Sequence, residues 1–427
     1  MKKNNADYLP DEGIYKKYQH KETSDIFSRA AGFAEFVKDG RSRGDDVYSM
    51  PVIEYREGRA LVDGGSHYGK KEVVVMCSAD YLGLAHHPDI IESGINALKE
   101  YGTNVASVPV FGGRTSVHDN FEKSLAEFLG TDDCVLFPTG YAANMGAIQA
   151  ICTENDTVVL DKLCHYSVLD GIYLSRAQKK TFLHSDTTSL EKILSETRKN
   201  KKSGGILIIV EGVYGIDGDV TPLREISRMA EKYGARIMID EAHGLGVIGK
   251  TGRGASEYHH MEKTPDIIVG SLSKSLAAPG GFIACRADVA DYVRYFARTA
   301  VFSAGLQTVS AAVAGAALAN IRKNPALIEK LQDNAAYLRN GLRGLGFMNA
   351  SVSRSAIMSI IVGSEDHLRN VSRDLFINGV WAEALTYPAV EPGQTRIRFR
   401  VSTSHTKEDL DFILTKVKDV FVKEGLI

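Results

Sequence analysis

Five short runs along the chain are apolar without alternation: "CVLF" at 134–137, "TVVL" at 157–160, "ILIIV" at 206–210, "RIMI" at 236–239 and "DIIV" at 266–269. Strands covered on both faces lose the inside/outside alternation, so these runs predict buried strands of one sheet. Segments of helical period lie between most of them, such as "LREISRMAEKYG". In "VHDNFEKSLAEFLG", Val117, Phe121, Leu125 and Phe128 form one stripe and Gly130 marks a stop. Strand, helix and strand in alternation predict an α/β fold with a mostly parallel central sheet. Before it, residues 1–65 are polar and irregular apart from an amphipathic patch around "DIFSRAAGFAEFVKDG", and read as an N-terminal arm. Residues 66–305 read as a large domain. Residues 306–427 read as a smaller α+β C-terminal domain, with two long helical patterns and a final helix after Thr406, capped with Asp409 three residues on.

In an open parallel sheet, ligands gather beyond the carboxyl ends of the strands. The residues just past each apolar run therefore carry the chemistry. The first run leads into Thr139, Gly140 and Tyr141, the second into His165 and the third into Glu211. Asp240 with His243 comes after the fourth, and Ser271, Ser273 and Lys274 come after the fifth. Taken singly, each has a bland reading: an acid after a strand is usually a turn residue, a lysine a solvated charge, a histidine a packed or surface ring. Together, at consecutive strand ends, they match the needs of pyridoxal 5'-phosphate. Lys274 suits a Schiff base with the aldehyde. Asp240 suits a protonated pyridine nitrogen, which makes the ring an electron sink. His243 suits the phenolic oxygen and His165 a stack on the ring face. Thr139, Gly140 and Tyr141 open a helix whose amides suit a phosphate, with Ser271 and Ser273 as further donors.

The stretch "DEAHGLGVIGKTGRG" at 240–254 fits two other patterns, the dinucleotide fingerprint and the phosphate loop. Both lack their context. Four residues separate the strand from the first glycine, and Gly252 and Gly254 directly after Lys250 and Thr251 disfavour the helix a phosphate loop opens. The stretch reads as an irregular loop beside the site.

Bulk composition changes little. Hydrophobic residues make up 44% and charged residues 24%, as in ordinary globular proteins, and a net charge of -2 gives no footing for nucleic acid. The five cysteines are scattered without a C-x-x-C pair, which argues against a disulfide framework and against a zinc site, so no metal is expected. With no signal-peptide pattern and no apolar run long enough to span a bilayer, the chain reads as cytoplasmic.

The segments "LFPTGYAANMGAI", "DEAHGLGVIGKTGRG" and "GSLSKSLAAPGGFIA", within a match over roughly residues 75–415, resemble the α-oxoamine synthases, with serine palmitoyltransferase-like enzymes among them. The resemblance implies an aspartate aminotransferase-like fold (fold type I) and a homodimer with shared active sites. It implies a pyridoxal phosphate-dependent acyltransferase: an amino acid condenses with an acyl-CoA or acyl-carrier-protein thioester, losing CO2 and the thiol to give an α-amino ketone. It further implies Lys274 as proton carrier, Arg398 in "RIRFR" as the partner of the amino acid carboxylate, and Ser303 in "VFSAG" as a phosphate ligand of the neighbouring subunit. The chain departs from the family at Ala79, Pro109 and Gly215, where Asn, Arg and Ser are usual. Other pyridoxal phosphate chemistry, such as transamination or decarboxylation, and a non-catalytic partner subunit remain as alternatives.

Overall fold

The five apolar runs all become strands of one seven-stranded sheet in the computed structural model, which describes residues 24–44, 50–200, 204–348 and 354–427. Its strands are β1 (Asp133–Phe137), β2 (Thr157–Asp161), β3 (Gln178–Phe182), β4 (Ile206–Glu211), β5 (Arg236–Asp240), β6 (Ile267–Ser271) and β7 (Gly281–Cys285). The spatial order is β1-β7-β6-β5-β4-β2-β3. β7 is antiparallel to both its neighbours, and the remaining pairings are parallel. The carboxyl ends of β1 to β6 therefore share one edge. β7, "GFIAC", is apolar and fully buried but was not among the five runs, and β3 had no apolar run to announce it. β3, "QKKTF", is an edge strand buried mainly at Phe182, so its sequence stays polar.

Helices Gly140–Ile151 and Tyr166–Ser175 pack on each other and on the sheet around Val135, Phe137, Ile148, Val158, Val168, Ile209, Met238, Val269 and Ile283. Ile209 and Ile283 are fully buried; truncating either to alanine costs about 2–5 kcal/mol.

The described residues divide into two compact units. The larger runs over Ala79–Ala335 with residues 352–356; the smaller combines the chain up to Ser78 with residues 336–351 and Ile357–Ile427. These divisions differ from the expected ones for two reasons. First, the chain from residue 50 is no loose arm: Val52–Arg56 and Arg59–Asp63 form a hairpin through Glu57 and Gly58, both at positive φ, and Lys70–Val75 extends it. Val380–Trp381 then pairs in parallel with Lys70–Val75, so both ends of the chain share a sheet. Second, helix Thr308–Lys323 packs on helices Pro88–Tyr101 and Ser116–Leu129, which keeps it in the larger unit. Of the arm, residues 1–23 and 45–49 lie outside the described residues; helix Ser28–Arg43 is mostly exposed. The smaller unit also holds the antiparallel strands Ile357–Gly363, Thr395–Arg400 and Glu383–Leu385. Its last helix, Lys407–Lys423, opens with the Thr406–Asp409 capping box.

The glycine-rich stretch after β5 wraps a buried carboxyl. Glu241 is 1% exposed, and one of its oxygens accepts the Ala255 backbone N–H at 2.7 Å. A side chain on Gly212, Gly244 or Gly254 would strike that carboxyl. No helix starts at Lys250 or Thr251; Thr251 instead donates its hydroxyl to Glu257 at 2.8 Å. The glycines thus serve an internal acid rather than a nucleotide phosphate.

Burial, reinforced by repulsion from Asp240, pushes Glu241 up to about 8. A carboxyl that keeps its proton in the folded state but loses it near 4.3 when unfolded subtracts stability as pH rises through that window, about 1.4 kcal/mol per unit. Glu241→Gln removes this loss. The variant is expected to match the parent in urea unfolding at pH 5 and to exceed it increasingly from pH 6 to pH 8; equal pH dependence of the two would contradict a neutral Glu241.

Candidate active site

Thr139 caps helix Gly140–Ile151, its hydroxyl accepting from the Ala142 backbone N–H at 3.0 Å. The other first-turn amides are left to face the sheet edge. Directly beside them lies the end of β6. A Cβ on Gly140 would stand 3.0 Å from that of Ser271, and a Cβ on Gly281 would meet Gly140 Cα at 2.5 Å. Gly281 opens β7 between Phe137 and Ser271, so its missing side chain is what lets the helix N-terminus approach. The Ser271 and Ser273 hydroxyls are 2.7 Å apart at the same place. Helix amides, two hydroxyls and small residues form a cradle for a phosphate.

Asp240 ends β5 at 6% exposure. One oxygen accepts from Asn144 Nδ2 at 2.7 Å, the other from the Ala242 N–H at 2.9 Å. Asn144 also donates to Ser167 Oγ at 3.0 Å, and Ser167 Oγ lies 2.8 Å from His165 Nδ1. His165 Nδ1 accepts the Ser167 backbone N–H as well, at 3.3 Å, so the proton of the neutral ring sits on Nε2. His165 keeps a solvent-exposed edge, yet burial of its ring lowers its pKa; Lys274 pushes the same way and Asp240 opposes. Asn144 and Ser167 were missed in the sequence. Their only signal is a polar residue on the buried side of an apolar helix.

Glu211, at the end of β4, accepts the His165 N–H at 2.7 Å and the Gly215 N–H at 3.3 Å. Burial, then repulsion from Asp240, raises it to about 8, against the pull of these bonds and of Lys274. Glu211 therefore braces two strand-end loops. Lys274, three residues past β6, acts electrostatically on both His165 and Glu211. The strand ends thus bring Lys274, Asp240, His165 and Glu211 into one charge-coupled group.

His243 is held from two sides. Its Nδ1 lies 2.7 Å from the hydroxyl of Tyr81, a fully buried residue that the sequence motifs did not single out. Its Nε2 rests against Gly215, where a Cβ would sit at 2.6 Å. Serine, usual at that position, would displace this ring. Tyr141 sets its ring edge-on to His165 at 5.8 Å and its hydroxyl on Asp170. Ser303 lies in the turn between helices Arg298–Val301 and Thr308–Lys323, and among the described residues no hydrogen bond joins it to the strand-end group. Arg398 belongs to the smaller unit. It stands in strand Thr395–Arg400 opposite Glu383, with Nε 2.5 Å from the Glu383 carboxylate. Pro109 opens a short 3-10 turn and Ala79 accepts the Tyr81 N–H; nothing in the structure explains either departure. Among the described residues no cluster suits a metal.

The group fits pyridoxal phosphate: a cradle for the phosphate, a buried carboxylate for the ring nitrogen and a lysine at the neighbouring strand end. The comparisons agree. The profile of the family "aminotransferase class I and II" matches residues 71–417. Over 380 residues the chain is 37% identical to the 8-amino-7-oxononanoate synthase of Fervidobacterium nodosum, covering 89% of this chain and 95% of that one. It is 36% identical over 393 residues to the 4-hydroxy-2,2'-bipyrrole-5-methanol synthase PigH of Serratia sp., where 91% of this chain spans only 59% of the relative. Serine palmitoyltransferase from S. paucimobilis, solved with a pyridoxal phosphate–myriocin adduct, superposes with a TM-score of 0.88 at 27% identity, covering 94% of this chain and all of that one.

The chain belongs to the aminotransferase class I and II family, with the fold of the pyridoxal phosphate enzymes of fold type I. Within it, the protein is an α-oxoamine synthase, an enzyme that uses pyridoxal 5'-phosphate to condense an amino acid with an acyl thioester.

The Tyr81–His243 contact gives a direct test. Tyr81→Phe removes one buried hydrogen bond, worth about 0.5–1.5 kcal/mol. Cofactor affinity, measured by visible absorption on titrating the cofactor-free protein, is expected to fall roughly tenfold, and Gly215→Ser to lower it by displacing the same ring. Affinity unchanged in both would show that His243 does not touch the cofactor.

Proposed function

We propose that the strand-end group performs the condensation with a fixed division of labour, on the strength of one observation: Lys274, Asp240, Glu211 and His165 stand at or just past the ends of four adjacent strands, β6, β5, β4 and β2, on the sheet's carboxyl edge. Bound pyridoxal phosphate supplies an electron sink for the negative charge that develops at the donor's α-carbon. Asp240, anchored by Asn144 and the Ala242 amide, holds a positive charge on the ring nitrogen. His165 offers a flat neutral ring whose orientation Ser167 fixes. His243, its ring held by Tyr81 and Gly215, would hydrogen-bond the cofactor's phenolic oxygen. Glu211, uncharged, keeps the His165 and Gly215 loops in register without competing with Asp240 for the cation. The Lys274 amine takes the proton from the α-carbon and returns it to the product. Thr139, Gly140, Tyr141, Ser271 and Ser273 hold the phosphate, and Arg398 takes the donor's carboxylate as a bidentate partner.

The working unit is a homodimer in the cytoplasm. Three features support this reading. Phe111 and Phe302 are each 83% exposed in the larger unit, on segments tied by the Gly305 N–H to Ser107 carbonyl bond, so they form one apolar surface that asks for cover. Ser303 adjoins that surface, which suits a phosphate ligand delivered across a subunit boundary. No helix among the described residues is long and apolar enough to cross a membrane. The acyl group arrives on CoA or on a carrier protein. The relatives, an 8-amino-7-oxononanoate synthase, PigH and a serine palmitoyltransferase, are named for different products, so donor and acyl chain are read from experiment.

The purified enzyme is expected to be yellow, and borohydride to fix the cofactor on Lys274, as found by peptide mass spectrometry; fixation at another lysine would displace Lys274 from its role. Thiol release with glycine, alanine or serine against a panel of acyl-CoAs should accompany an α-amino ketone and CO2. A keto acid product would instead indicate transamination. Asp240→Asn should depress turnover by at least a hundredfold while weakening cofactor binding far less, because charge stabilisation at the α-carbon is a transition-state effect.

A further inference from the structure

A second buried carboxylate ends a strand in the same sheet. Asp161, the last residue of β2, is fully buried. Its Oδ1 accepts the Leu163 backbone N–H at 2.8 Å and lies 3.0 Å from His184 Nδ1, and its Oδ2 accepts the Ser185 N–H at 2.8 Å. His184 comes two residues past the end of β3. Its other nitrogen, Nε2, lies 3.4 Å from Asp219 Oδ2, an ion-pair distance, in the loop that follows β4. The ring also stands edge-on to that of Tyr214 in the same loop, with centroids 4.5 Å apart. The ends of β4, β2 and β3 are neighbours in the sheet, so one imidazole spans all three.

An imidazole between two acids serves both only when each of its nitrogens carries a proton. Burial pulls the His184 pKa down, but hydrogen bonds and charge attraction from Asp161 and Asp219 outweigh it and raise it to about 9. The Tyr214 phenol facing it is kept neutral by burial. His184 is thus a cation at neutral pH. Both of its partners belong to loops that carry the site. Asp161 begins the loop that reaches His165 four residues on. Asp219 closes the loop after β4, where its carbonyl accepts the Tyr214 N–H at 2.9 Å and Val213 bridges Val220. Within that loop lies Gly215, the backbone against which His243 Nε2 rests. Glu211 ties the same two loops from within as a neutral acid; His184 ties them as a charge.

We propose that His184 is a positioning residue for the cofactor site: held between Asp161 and Asp219, it locks the loop after β4 to the end of β2 and, through Gly215, sets the ring of His243. This rests on the reading of His243 as a cofactor contact.

The test is cofactor affinity of the cofactor-free protein, titrated by visible absorption, for the parent, His184→Gln and Asp219→Asn, and for the same two changes in a Gly215→Ser background. His184→Gln keeps polar groups and loses the charge. It and Asp219→Asn are each expected to weaken cofactor binding about tenfold, and to add less than about twofold where Gly215→Ser has already displaced the ring. Unchanged affinity in His184→Gln overturns the proposal, and a loss as large in the Gly215→Ser background as in the parent overturns the route through Gly215. Tyr81→Phe judges the underlying reading separately. If it weakens binding while His184→Gln does not, His243 touches the cofactor and only the role of His184 falls. If neither Tyr81→Phe nor Gly215→Ser changes affinity, the reading of His243 falls and the inference with it. Nitrogen NMR of the histidine-labelled, cofactor-free protein should show one ring protonated on both nitrogens at pH 8, with its signal moved by Asp219→Asn. A neutral ring there overturns the proposal even if His184→Gln fails to fold.

Discussion

A carboxylate buried at the end of a central strand has to be satisfied, and most of the site derives from satisfying Asp240. One partner is local, the backbone amide two residues on, and the other is distant, the side-chain amide of Asn144, 96 residues back. Asn144 extends the bond to Ser167, and Ser167 fixes His165. The same negative charge helps to force a proton onto Glu211, which then braces the two loops that carry His165 and Gly215. Removing Asp240's charge would alter an acceptor, a tautomer, a neighbour's protonation and a loop brace together.

Much of this was legible in the sequence because of an asymmetry in α/β folds. Buried parallel strands announce themselves as unbroken apolar runs, and the residues after them must lie on one edge. All five runs became strands, and Thr139, His165, Glu211, Asp240 and Ser271 each stand at or just past a strand end. What could not be read is pairing at long range. Tyr81 meets His243 across 162 residues of chain, and no local pattern marks either as the other's partner. Glu383 and Arg398 are close in sequence but meet only through strand register. β3 and the hairpin at residues 52–63 escaped for a different reason: with faces left to solvent, they carry mixed sequences that resemble loops.

The departure at Gly215 has a physical sense that those at Ala79 and Pro109 lack. By giving up a side chain there, the loop after β4 lets the His243 ring settle between a backbone and a buried phenol. A smaller residue in one loop has thereby set the orientation of a ring from another, a coupling invisible to either segment alone.

The smaller unit is assembled from both ends of the chain, and this orders events during synthesis. The larger unit is almost contiguous and has its whole sheet once Cys285 has left the ribosome. The strands Val52–Arg56, Arg59–Asp63 and Lys70–Val75 emerge much earlier, but Val380–Trp381, which completes their sheet, comes some three hundred residues later. Until then Lys70–Val75 presents an unpaired edge whose last three residues, Val73, Val74 and Val75, are destined for the interior. An open apolar edge of this kind is a site for mispairing with other nascent chains. Yield in cells therefore depends on how long that edge waits, a matter of translation rate and chaperone supply rather than of the finished fold.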